Sequence, residues 1–221
     1  MPTSLARLNG TIHVGIILMN GETELLDVAP IDLLNGLDRK FVSNMPLPDS
    51  LKAQALDIVF HWVNETGSLA RMTSGATIQT TESFSTCPSL DIVLMGAHIG
   101  PGQPSETELV YVRKAYEECS AFISICGGMM VPLAAGLLDG KTCTAPRELL
   151  NKLRTRSPEV DWVERRWVQD GKLWTSGTLL NGLDLMKAFV EHIWGGPGTL
   201  AESVIAMGAW PIRQNEFRDG E

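Results

Sequence analysis

The stretch AFISICGGMMVPLAAGLLDG, residues Ala121 to Gly140, decides the fold. It opens on a β-favouring apolar run, Ala121 to Ile125, and passes through Cys126, Gly127 and Gly128. A small-residue apolar run follows, Met129 to Leu138, and predicts a buried helix. Strand, Cys-Gly-Gly, helix is the pattern of a nucleophile elbow, a turn too tight for bulky neighbours. This geometry predicts a Cys126 thiol lifted out of the sheet at a helix N-terminus. Unpaired N–H groups and the helix dipole there favour an anion and lower a thiol pKa, which makes thiolate available near neutral pH. A buried structural cysteine is the commoner fate of this residue type. The glycine pair directly after Cys126 favours the nucleophile. Pro132 falls in the first turns of the helix, where a missing N–H costs least.

Upstream, Ile12 to Leu18 (IHVGIIL) reads as a strand buried on both faces, closed by the turn signal Asn20-Gly21. Glu24, Asp27 and Asp32 follow, with a helix expected to start near Pro30. In open α/β sheets, the loop beyond the C-terminal end of a strand is where ligands bind. Glu22 and Asp32 suit a solvated face, whereas Asp27, wedged between Leu26 and Val28, does not. Leu56 to Val63 is the second strand, and its His61 reads as a packed or edge histidine. Residues 68–80 read as irregular structure with short strands about Gly75. Asp91 to Gly96 is the next buried strand, ending in the small-residue loop from Gly96 through Ala97, His98 and Pro101 to Gly102.

Ser105 and Glu108 form an S-x-x-E capping box at the start of a helix. Downstream of the elbow, Lys141 to Ala145 reads as a short strand and Pro146 to Arg156 as a basic helix. Asp170-Gly171 marks a hairpin between Trp162–Val168 and Lys172–Thr175. Ser176 and Gly177 end the last strand at another small-residue loop, and a helix is expected over Leu179 to Trp194. Strands alternating with helices predict one α/β domain over residues 1–221. Its core spans about residues 12–194, with a C-terminal helix and tail over 195–221.

Composition narrows the function. The 221 residues carry a net charge of −8, which argues against nucleic acid or anionic membrane as partner. No apolar run reaches the roughly 20 residues of a membrane span. Cys87, Cys119, Cys126 and Cys143 are too scattered for a disulfide framework, and the four histidines lack metal-ligand spacing. A reduced, cytoplasmic setting is expected, with no metal and no cofactor.

These motifs together resemble the ThiJ/PfpI superfamily over nearly the whole chain. They are Leu26-Asp27-Val28-Ala29-Pro30, the Gly96-Ala97 loop, Ile125-Cys126-Gly127-Gly128, Gly136 to Lys141, and Trp174-Thr175-Ser176-Gly177. The resemblance implies a glutamine-amidotransferase-like fold: a flavodoxin-like three-layer sandwich with a mostly parallel sheet. Within it, the chain is most similar to the isocyanide hydratase branch and its fungal relatives. By that resemblance Cys126 is the nucleophile and Asp27 its acidic partner, with Glu24 the fallback. Gly127, Gly128, Gly96, Ala97, His98, Ser176 and Gly177 form the oxyanion and substrate-binding set. The substrate is a small electrophile and the assembly a homodimer.

Three departures stand out. Asp27-Val28-Ala29-Pro30 is one residue shorter than the usual Asp-x-x-Gly-Pro. Thr144 to Arg147 lacks the histidine of many members, and Gly127 replaces a threonine of the hydratases. The implied chemistry is hydration of an isocyanide through a thioimidate on Cys126. The alternatives are a glyoxalase or deglycase activity on 2-oxoaldehydes, a biosynthetic tailoring reaction, and a redox-sensing or protective role.

Overall fold

The computed structural model describes residue 5, residues 10–100 and residues 102–218. Pro101 and the extreme ends of the chain lie outside the described residues. The apolar runs become a seven-stranded sheet. Its strands are β1 (Ile12–Ile17), β2 (Ile58–Asn64), β3 (Glu82–Ser83), β4 (Ile92–Met95), β5 (Ala121–Ser124), β6 (Trp167–Asp170) and β7 (Leu173–Ser176), in the order β6-β7-β5-β4-β1-β2-β3. Every neighbouring pair is parallel except the β6–β7 hairpin at the edge. The parallel pairing carries β1, β4, β5 and β7 to one edge. The loops holding Asp27, Gly96, Cys126 and Gly177 therefore meet there.

The strand period of two divides the core into two layers. Ile92, Leu94, Ala121, Ile123 and Ile125 face one side, against α3 (Asn181–Trp194) and α4 (Leu200–Met207). Val93, Met95 and Phe122 face the other, against α1 (Glu106–Glu118) and α2 (Arg147–Arg156). This is the expected three-layer α/β sandwich. No helix of the described residues is long and apolar enough to cross a membrane, and all four cysteines are free.

Several local expectations are corrected. The helix near Pro30 is instead three consecutive short turns, Leu25–Val28, Ala29–Ile31 and Asp32–Asn35. Proline has no N–H to continue an α ladder, so the chain tightens to 3₁₀ around it. The elbow helix is also shorter than expected. A 3₁₀ turn over Cys126–Met129 precedes a five-residue helix, Met130–Ala134, which Gly136 ends at φ +75°. The strand expected over Lys141 to Ala145 is only Thr142–Cys143. It pairs with Asp161–Trp162 outside the main sheet, which is why the hairpin strand β6 starts at Trp167 rather than Trp162.

The capping box at α1 forms as expected and has a further role. Ser105 Oγ accepts the Glu108 N–H at 3.2 Å, and Glu108 Oε2 accepts the Ser105 N–H at 2.7 Å. Glu108 Oε1 also accepts the Asn20 N–H at 2.6 Å, which ties the helix to the loop after β1. Glu108→Ala removes both bonds and leaves the Asn20 N–H without its acceptor. Urea unfolding is expected to show a loss of about 2 kcal/mol, against well under half of that for Glu106→Ala.

Candidate active site

One residue, Ile125, separates Cys126 from the end of β5, and Cys126 adopts φ +57°, in the left-handed region. For a side chain with a Cβ this costs roughly 1–2 kcal/mol, so the surroundings must hold it. The Ile125 N–H donates to Met95 O at 2.9 Å, the Gly128 N–H to Ile125 O at 2.8 Å, and the Cys126 N–H to Gly177 O at 3.2 Å. A Cβ at Gly128 would lie 2.5 Å from Met95 O, so only glycine lets the elbow close on the end of β4.

Asp27 is brought over this elbow by the turn Leu25–Val28. It is completely buried. Its Oδ2 accepts the Ala97 N–H at 2.8 Å, while Oδ1 is buried with no hydrogen-bond partner. A Cβ at Gly96 would sit 2.7 Å from the Asp27 Cβ, so the glycine after β4 makes room for the acid. Glu24, Asp27 and Cys126 each bring a side-chain O or S atom into a group whose members lie within 4.8 Å of one another. The shortened Asp27-to-Pro30 segment thus still delivers the carboxyl, and Glu24 arrives beside it. Among the described residues these three are the donor set that could share a cation.

The electrostatics correct one expectation. The Cys126 thiol is not lowered but pushed up to about 11, first by burial and then by the Asp27 carboxylate. The backbone N–H groups of Leu179 and Gly127, hydrogen-bonded to it, oppose the rise, and Glu24 adds to it. The short 3₁₀ start of the elbow helix brings too little dipole to offset burial. Asp27 is raised to about 7 by burial, against the lowering effect of the Ala97 N–H, with Glu24 adding to the rise. At neutral pH the free site therefore holds a protonated thiol beside a carboxyl near its titration midpoint.

The remaining predicted residues divide. Gly127, expected in the oxyanion set, directs its N–H to the Cys126 sulfur. The Ala97 N–H is engaged by Asp27 and the Gly128 N–H by Ile125, so neither N–H is free for a substrate oxygen. The His98 ring packs against Gly21, where a Cβ would lie 2.4 Å from His98 Cε1. Ser176 is fully buried and bonds the Gly177 carbonyl, so Ser176 and Gly177 brace the elbow from behind. Leu179 is the residue sequence reasoning missed. It too has a positive φ, +40°, and a leucine carries no sequence signal for that conformation. His61, expected to be a packed histidine, is buried in β2 with its Nε2 2.9 Å from His13 Nδ1. At Thr144 to Arg147, the Thr144 N–H and hydroxyl bond Thr175 Oγ1 and Arg165 O.

Two outcomes follow from the raised pKa values. The folded Asp27 holds its proton up to about 7 while the unfolded group releases it near 3.8. The group's contribution to stability therefore falls as pH rises between those values and stays at its lowest above them. Asp27→Asn is expected to stabilise the fold above neutrality by roughly 2–4 kcal/mol, fading to nothing near pH 4, as read from melting curves across pH. The same variant removes a negative charge beside the sulfur. Alkylation of Cys126 by iodoacetamide at about pH 8, followed by peptide mass spectrometry, is expected to be faster in Asp27→Asn than in wild type.

Comparison with known proteins agrees with this architecture. A sequence profile of the DJ-1/PfpI family matches residues 42–192. The chain is 30% identical to isonitrile hydratase of Pseudomonas putida over 150 residues, 67% of this chain and 65% of that protein's own length. It thus spans just under two thirds of that relative. A crystal structure of a THiJ/PfpI family protein from Pseudomonas syringae superposes with a TM-score of 0.73 at 18% identity, covering 96% of this chain and 80% of that one. Drosophila melanogaster DJ-1beta superposes with a TM-score of 0.70 at 15% identity, covering 92% and 100%. A buried strand-to-elbow cysteine on a mostly parallel sheet, with a sequence profile matched over most of its length, makes this chain a member of the DJ-1/PfpI family.

Proposed function

We propose that the chain is a cofactor-independent hydratase acting on an isonitrile (isocyanide), with Cys126 as nucleophile and Asp27 as proton carrier. The observation that carries the reading is the buried Asp27 carboxyl. Its Oδ1 has no partner, and it stands in the same cluster as the Cys126 sulfur. An orphaned buried carboxylate oxygen is costly unless it has a proton to exchange. A pKa near 7 suits a group that both takes and returns one. The similarity to an isonitrile hydratase supports the choice of substrate.

In this reading Asp27 takes the thiol proton as the sulfur attacks the terminal isonitrile carbon. The new C–S bond leaves negative charge on carbon, and Asp27 returns the proton there. The result is a thioimidate, with carbon bound to sulfur, hydrogen and the imine nitrogen. Asp27, a carboxylate again, then takes a proton from water. The hydroxyl adds to the carbon while Asp27 passes that proton on to the nitrogen. Collapse of the tetrahedral adduct breaks the C–S bond, releases an N-substituted formamide and returns a proton to sulfur. One isonitrile and one water give one formamide, with no electrons gained or lost. The N–H groups of Gly127 and Leu179, which face the sulfur, stabilise the thiolate as it forms and as it leaves. The scheme uses no histidine base, in keeping with the lack of one over Thr144 to Arg147, and it proceeds without the hydroxyl that the hydratases carry where this chain has Gly127.

The test is turnover of p-nitrophenyl isocyanide, with the formamide identified by mass. Wild type is expected to produce it, Cys126→Ala to produce none, and Asp27→Asn to lose at least about a hundredfold. kcat/KM should rise as pH passes through about 7, where Asp27 loses its proton, and Asp27→Asn should lack that rise. Substantial turnover by Cys126→Ala would sink the mechanism. Lactate from methylglyoxal with no formamide would move the chain to glyoxalase-like chemistry. Selective peroxide oxidation of Cys126 with turnover of neither substrate would favour a sensor.

A further inference from the structure

The C-terminal segment reaches back to the site along two routes. Arg213 grips α3 at its start. Its Nε lies 3.0 Å from Asp184 Oδ1 and its Nη2 2.6 Å from Asp184 Oδ2, and Nη2 also donates to the Leu180 carbonyl at 2.9 Å. The Asp184 side chain is 3% exposed and also accepts from Asn181 Nδ2 at 3.2 Å. Leu180 is the next residue after Leu179, whose N–H bonds the Cys126 sulfur.

The second route runs through the edge hairpin. The Arg166 N–H donates to Asn215 O at 2.9 Å, Arg166 Nε donates to Gln214 O at 2.9 Å, and the Trp167 N–H donates to Asn215 Oδ1 at 3.1 Å. The Arg166 carbonyl accepts the Gly177 N–H, and the Gly177 carbonyl accepts the Cys126 N–H. Phe217 closes the segment, with the Arg147 and Arg166 guanidinium carbons each 4.6 Å from its ring centre. The loop from Gly177 to Asn181 is thus held from both ends by residues 213–217.

Leu179 gives this clamp its meaning. A leucine at φ +40° is strained, and such strain persists only where neighbours over-determine the backbone. The strained residue is the one whose N–H hydrogen-bonds the sulfur. We propose that Arg213 is a positioning residue: by binding the Leu180 carbonyl and the Asp184 carboxylate together, it holds the Leu179 N–H on Cys126 and so sets the reactivity of the thiol. Arginine suits the task because its planar fork meets a carboxylate through two nitrogens and still has a donor for a carbonyl. The inference rests on Cys126 as the reacting group and not on the identity of the substrate.

The experiment measures the rate of Cys126 alkylation by iodoacetamide in the full chain, by peptide mass spectrometry, at several pH values from about 7.5 to 9.5. Loss of the Leu179 N–H removes a hydrogen bond to the thiolate, and this raises the thiol pKa by about one unit. Arg213→Gln is therefore expected to slow alkylation about tenfold at each of these pH values. Arg213→Lys, which restores the charge but not the fork, is expected to recover part of the rate. An unchanged or faster rate in Arg213→Gln, with only a lower melting temperature, would make the clamp merely structural and overturn the proposal. Should Arg213→Gln not fold, Asp184→Asn is measured instead: a slower rate supports the proposal and an unchanged one overturns it. Alkylation needs no substrate, so failure to hydrate an isonitrile would leave this outcome standing.

Discussion

The Asp27 carboxyl is sealed from water beside the Cys126 sulfur, and most of the surrounding structure serves that placement. Burial of an ionisable group opposes folding when the group is charged, and here it holds the proton up to about 7. The Ala97 N–H satisfies one oxygen and leaves the other free. Gly96 has no side chain because Asp27 occupies that space. The short turns around Pro30 set the depth at which the acid sits.

The same burial explains why the thiol is protonated at rest. An elbow cysteine is commonly pictured as a waiting thiolate. In this chain the low-dielectric pocket and two neighbouring carboxyl groups outweigh two backbone N–H donors. In the proposed mechanism the thiol proton must move to a group that can hold it, and the carboxyl at full burial in the cluster is Asp27. The two strained residues, Cys126 and Leu179, meet at the sulfur: one carries it and the other donates to it. Strain at both points means that the rigidity of β4, β5 and the β6–β7 hairpin is needed for the geometry to persist.

The C-terminal segment extends that logic away from the site. A loop between β7 and α3 would ordinarily be among the looser parts of an α/β fold. Here it is flanked by a bidentate ion pair at Asp184 and by main-chain bonds to Asn215. Stability of the tail and chemistry at the sulfur are therefore coupled through a few hydrogen bonds rather than through the sheet.

The parallel strands can be read from local composition, because continuous apolar runs such as Ile12 to Leu18 can be buried only between two layers. So can the elbow, since Cys126-Gly127-Gly128 after a strand meets a steric demand that acts within a few residues. So can the capping box at Ser105 and Glu108, which is equally local. Asp27 was legible as a misfit among apolar neighbours. Packing alone brings both Glu24 and Asp27 to the sulfur, commits the Ala97 N–H to Asp27, and points the Leu179 N–H at the thiol. The direction of the Cys126 pKa shift belongs to the same class. Dielectric, charge and strain at the sulfur are sums over groups from residues 24, 27, 127 and 179. Spacing along the chain carries no record of those distances, so the elbow could be read from sequence and its protonation could not.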